Sequence, residues 1–116
     1  MTETPTVELE RIVDTVAKFT AVISRRLPDD VTGRITQLAA EERQPMALMI
    51  YDTMRKNQEL AGELKRPSCQ DTGLIQVFVR VGSHFPHIDG LSAALKEAIA
   101  RATEMAPLRH NSVETF

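Results

Sequence analysis

The candidate positions for chemistry in this chain are Cys69 with its neighbours Gln70 and Asp71, then His84, His87 and Arg109. The first three are consecutive, inside Arg66-Pro67-Ser68-Cys69-Gln70-Asp71-Thr72-Gly73. Cys69 is the single cysteine, and a lone cysteine is commonly a small buried hydrophobe. Polar neighbours and Pro67, which stiffens the approach, also allow it to be a reactive thiolate or a metal ligand. One thiolate cannot hold a structural zinc or an iron–sulfur cluster, because each needs several ligands.

His84 and His87 share one loop and would give Cys69 two borderline-soft partners for zinc. Cys and His residues in one loop-rich region also occur without a metal. Asp71 is a candidate general base and equally a turn residue: in Asp-Thr-Gly the Asp can bond its own backbone while Gly supplies positive φ. Arg109 has the planar fork that clamps a carboxylate. It can also be a cation set against a helix dipole.

The elements that must position these groups are mainly helical. Leu9, Ile12, Val13, Val16, Phe19, Ile23 and Leu27 recur at helical spacing and predict a helix over 6–27, stopped by Pro28. Asp29 or Asp30 then caps a second helix with Val31, Ile35, Leu38 and Ala39 on one face. Pro45 suits the first turn of a third helix reaching Leu64. Its stripe of Met46, Met49, Ile50, Met54, Ala61 and Leu64 reads as core, with a methionine-lined peptide groove as the other reading.

Residues 66–73 lack periodicity and form a loop. Leu74-Ile75-Gln76-Val77-Phe78-Val79-Arg80-Val81, rich in β-branched residues and ended by Gly82, predicts a buried strand. A second loop spans His84 to Gly90. Asp89 or Ser92 opens a fourth helix with Leu91, Leu95, Ile99 and Ala102 on its inner face, ended by Pro107. The expected fold is therefore α+β and mainly helical, with about four helices and one clear strand. A single strand cannot satisfy its own backbone, so the short sheet is expected to be completed by missing sequence or a partner. A bare strand edge and apolar helix faces also predict self-association.

Composition narrows the classes. The 116 residues are one domain's length. Hydrophobic residues at 42% and charged residues at 26% are ordinary for a globular protein, and aromatics at 4% leave the core to aliphatic residues. A net charge of −2 without a basic stripe argues against nucleic acid as a partner. No apolar run is long enough to span a bilayer. The polar start Met1-Thr2-Glu3-Thr4-Pro5 is unlike a signal peptide, and one cysteine excludes an internal disulfide, so the expected compartment is the cytoplasm.

The octapeptide Arg66 to Gly73, followed by Val79-Arg80-Val81-Gly82-Ser83, resembles the first cysteine motif of the class I, iron–sulfur fumarase and tartrate dehydratase family. The stretch from Phe19 to Val31 looks like the opening helix of the family's tartrate dehydratase alpha subunits, and Pro107 to Glu114 is closer to those than to the fumarases. The likeness runs from about residue 8 to 116. It implies an N-terminal region, 1–116, of a hydro-lyase alpha subunit that dehydrates a 2-hydroxy dicarboxylate. Substrates would be L-tartrate, giving oxaloacetate, or the malate and fumarate pair.

In that family three cysteines hold a 4Fe–4S cluster whose open iron acts as Lewis acid. The resemblance assigns Cys69 as the first cluster ligand, Gln70 and Asp71 as substrate-contacting, Asp71 as catalytic, and Arg109 as a carboxylate clamp. It also implies partners: the remainder of the alpha subunit and a beta subunit. The second and third cysteines are absent, so this chain alone is expected to hold no cluster and to turn over no substrate. The competing expectation is a non-catalytic helical interaction module that keeps the fold.

Overall fold

A computed structural model describes residues 7–69 and 73–108. Four helices account for most of them: α1 (Val7–Arg25), α2 (Asp29–Glu41), α3 (Pro45–Leu64) and α4 (Ile88–Met105). Pro28 separates α1 from α2, with ψ at 150°. Asp29 begins α2 rather than capping it, and its carboxylate pairs with Arg26 at 2.7 Å. Between α2 and α3 the Glu42 carboxylate accepts the N–H groups of Arg43 and Gln44 at 2.8 and 3.0 Å. Pro45 then opens α3 where its missing N–H costs little.

The dominant packing joins the two ends of the chain, α1 against α4. Val13 and Ala17 of α1 meet Ala94 and Ala98 of α4, flanked by Leu9 and Val16. Alanines four residues apart make a flat stripe, so the helices approach closely at no side-chain entropy cost. The buried line on α4 is therefore Ala94, Ala98 and Ala102; of the expected Leu91, Leu95, Ile99 and Ala102, only Ala102 is fully buried and the other three are half-buried. Arg101 reinforces the seam, donating from Nη1 to Glu10 on α1 at 2.6 Å and from Nε to Glu97 at 3.1 Å.

The other half of the chain covers itself poorly. α2 buries no residue, and α3 buries only Ala61. The expected core stripe of α3 faces outward, with Met46, Met49, Ile50, Met54 and Leu64 all exposed. Among the described residues no large side chain is fully buried. The radius of gyration is 18.5 Å, against about 13 Å for a compact domain of this length.

The expectation of an α+β fold is overturned. Among the described residues there is no strand and no sheet. Residues 74–81 belong to no regular element, and no backbone hydrogen bond ties them to another described segment. Phe78 is 90% exposed, and Leu74, Ile75, Val77, Val79 and Val81 are exposed as well. The reason is that β-propensity measures fit to a half-buried pleated surface; with no second strand in reach, the sequence preference has nothing to act on. No described helix is long and apolar enough to cross a membrane.

Candidate functional site around the cysteine loop

The loop that carries Cys69 starts at the end of α3. Lys65 enters the left-handed region at φ 52°, and the N–H groups of Lys65 and Arg66 both turn back to the Ala61 carbonyl. That closes the helix in the manner of a left-handed cap and sends the chain sideways. Ser68 is then held from two directions. Its N–H donates to the Ser24 carbonyl at 3.0 Å, and its carbonyl accepts from Asn57 Nδ2 at 2.6 Å. Ser24 sits in the last turn of α1, where its own hydroxyl donates to Ala21 at 2.7 Å. Three parts of the chain thus converge one residue before the cysteine.

Cys69 itself is a free, exposed thiol, so the buried-hydrophobe reading does not hold. Gln70, Asp71 and Arg109 lie outside the described residues. Gly73 takes a positive φ of 69°, the conformation for which a glycine is suited.

His84 and His87 do not join Cys69. His84 is exposed, while His87 stacks edge-on to Phe85 and lies 3.5 Å from the Glu8 carboxylate of α1. Among the described residues no three His, Cys, Asp or Glu side chains form a group able to hold a metal ion, so the zinc reading fails on geometry. The donor set bears equally on a 4Fe–4S cluster, which is held by several thiolates. The sequence brings one, so the residues of this chain do not by themselves fit the group.

A cleft of about 650 Å³ runs between α2 and α3 and ends at Ser68 and Cys69. Its walls are mostly apolar, including Leu27, Ile35, Leu48, Tyr51 and Met54. Its charged groups, Asp52, Arg55 and Glu59, neutralise each other: Arg55 reaches Asp52 at 2.9 Å and Glu59 at 2.6 Å, and Lys56 reaches Asp52 at 2.7 Å. Hydrogen bonds from Lys56 and then Arg55 hold the Asp52 carboxyl below its ordinary range. The Asp52 hydrogen bond, with Glu59 beside it, raises the Arg55 guanidinium further above an already high value. Sequence reading missed Asn57 and Ser24 as supports of the loop; a lone polar residue on a helix gives no periodic signal of a contact eleven or more residues away.

The fumarate hydratase (Fumerase) family matches residues 13–116. This chain belongs to that family. Among curated relatives, it is 49% identical over 108 residues to the L(+)-tartrate dehydratase subunit alpha of Escherichia coli (strain K12), covering 93% of this chain and 36% of that protein. A protein of Methanocaldococcus jannaschii provisionally given the same name is 30% identical over 105 residues, covering 89% of this chain and 37% of that protein. The chain therefore spans little more than a third of the length of these fumarate hydratase family relatives. No solved structure matches it significantly.

Proposed function

We propose that this chain is the cysteine-loop portion of a hydro-lyase subunit that removes water from a 2-hydroxy dicarboxylate. The names of the relatives favour L-tartrate as substrate, and malate–fumarate interconversion is the sister reaction. The observation that carries the reading is the anchorage of Ser68 to both Ser24 and Asn57, which presents Cys69 outward from a fixed backbone. A ligand or reacting group must be held in place by its surroundings, and this loop has that support.

Dehydration takes a proton from the carbon beside one carboxylate and expels hydroxide from the neighbouring carbon, forming a carbon–carbon double bond. From tartrate the first product is the enol of oxaloacetate, which then ketonises. The reading gives Asp71 the role of base and Gln70 and Arg109 the substrate carboxylates, since proton transfer and orientation are what side chains of these types provide. Cys69 is assigned as one ligand of a 4Fe–4S cluster whose other thiolates lie outside this sequence. The remainder of the alpha subunit and a beta subunit are the partners that complete the site. The proposed compartment is the cytoplasm, where an exposed thiol stays reduced.

The test is a chimera in which this chain replaces the matching region of the Escherichia coli alpha subunit, assembled anaerobically with its partner subunit. The visible absorbance of the cluster and L-tartrate dehydration are followed with and without Cys69→Ser. Loss of both in the variant supports the reading. A variant with full cluster content and full activity overturns it and leaves a helical interaction module, which the exposed faces of α2 and α3 would suit.

A further inference from the structure

We infer that the α2–α3 cleft beside Cys69 is a docking groove for polypeptide, filled by the part of a family-length subunit that this chain does not span. The inference rests on the functional reading above and adds which face receives the rest of the subunit. It also excludes this cleft as the substrate pocket.

Charge decides against substrate. Arg55 is the cation that lines the cleft, and both of its carboxylate-facing contacts are taken by Asp52 and Glu59. With Lys56 also paired to Asp52, the two cations and two carboxylates sum to zero, so an incoming dicarboxylate meets no net positive charge and no free donor fork. The walls of Leu27, Ile35, Leu48, Tyr51 and Met54 suit the opposite kind of guest, an apolar face that needs no counter-charge.

Two observations choose the occupant. The matched relatives carry nearly two thirds of their length outside the region that aligns here. A covalently continuous segment also acts at an effective concentration far above that of a second free copy. The cleft opens where the chain leaves α3 for the cysteine loop, so the segment that covers it would also wall in Cys69.

Peroxide oxidation of Met54, which lines the cleft and is 40% exposed, reads the occupancy. In the isolated chain it oxidises readily; in the chimera with the Escherichia coli alpha subunit it is slowed at least about tenfold, as expected for a methionine withdrawn from solvent. Equal rates in the two proteins overturn the inference. So does protection of Met54 in the isolated chain by L-tartrate, which would make the cleft a substrate pocket. Protection that rises with the concentration of the isolated chain, together with a dimer in light scattering, also overturns it in favour of a second copy.

Leu48→Asp gives a second readout. Leu48 is exposed in this chain, so the variant keeps the helical content of the isolated chain but cuts the yield of soluble chimera; equal yields contradict docking. None of these readouts uses cluster or activity, so failure here is separable from failure of the Cys69→Ser test.

Discussion

The backbone N–H of Ser68 donates to the carbonyl oxygen of Ser24 at 3.0 Å, fastening the residue before the only cysteine to the last turn of α1. Ser24 and Ser68 lie far apart in sequence, yet this contact and the Asn57 side chain together define where Cys69 stands. The cysteine loop is thus tied to α1, the helix that packs on α4.

Asn57→Ala removes the 2.6 Å bond to the Ser68 carbonyl. Because Asn57 is exposed, water replaces part of what is lost, and the cost is expected near the lower end of about 0.5–1.5 kcal/mol. Urea unfolding measures that cost. The sharper readout is amide exchange at Ser68, which should accelerate while the α1–α4 amides stay protected.

Ala98 has no solvent exposure and sits where α4 touches α1. Ala98→Leu forces three extra carbons into that seam and should destabilise the chain by about 1–3 kcal/mol, as overpacking does. Thermal unfolding followed by circular dichroism checks it. An unchanged midpoint would mean that the two helices are not packed at this separation.

Arg101 links Glu10 and Glu97, and every member of the trio is at least a third exposed. Arg101→Met should therefore lower stability by less than about 1 kcal/mol at low salt, the range of exposed ion pairs. In high salt the difference from the parent chain should shrink further as the Debye length contracts. The same pair of melts, run in both buffers, decides it.

Asp52 gives the α3 surface a pH dependence with a definite sign. Its carboxyl titrates below the ordinary 3.8 because Lys56 and Arg55 donate to it. A group whose folded pKa is depressed contributes stability that is complete above its unfolded pKa and is lost as pH falls through the folded value. Acid should thus erode helicity below about pH 4 in the parent chain, and Asp52→Asn should be flatter over that window when helicity is titrated.

Much of the helical framework was legible from residues 7–105 alone, because helix periodicity and proline punctuation are local. Pro45 opens α3 as expected and Pro28 stands immediately before α2, while α1 ends at Arg25, two residues short of the expected boundary. Family membership confirms the resemblance that the motif around Cys69 carried. The methionine stripe of α3 was legible as an apolar face, but periodicity cannot say whether a face is covered within the same chain.

Sequence by itself thus determined helix positions, the lone thiol and the family. Tertiary structure decided what depends on contacts between distant residues. It selected alanines rather than leucines for the α1–α4 seam, because the closest approach goes to the smallest side chains. It left 74–81 without a strand partner among the described residues, because a strand exists only beside another strand. It also set Ser68 against Ser24 and Asn57, a meeting that no local pattern encodes, and so fixed the backbone beside the cysteine.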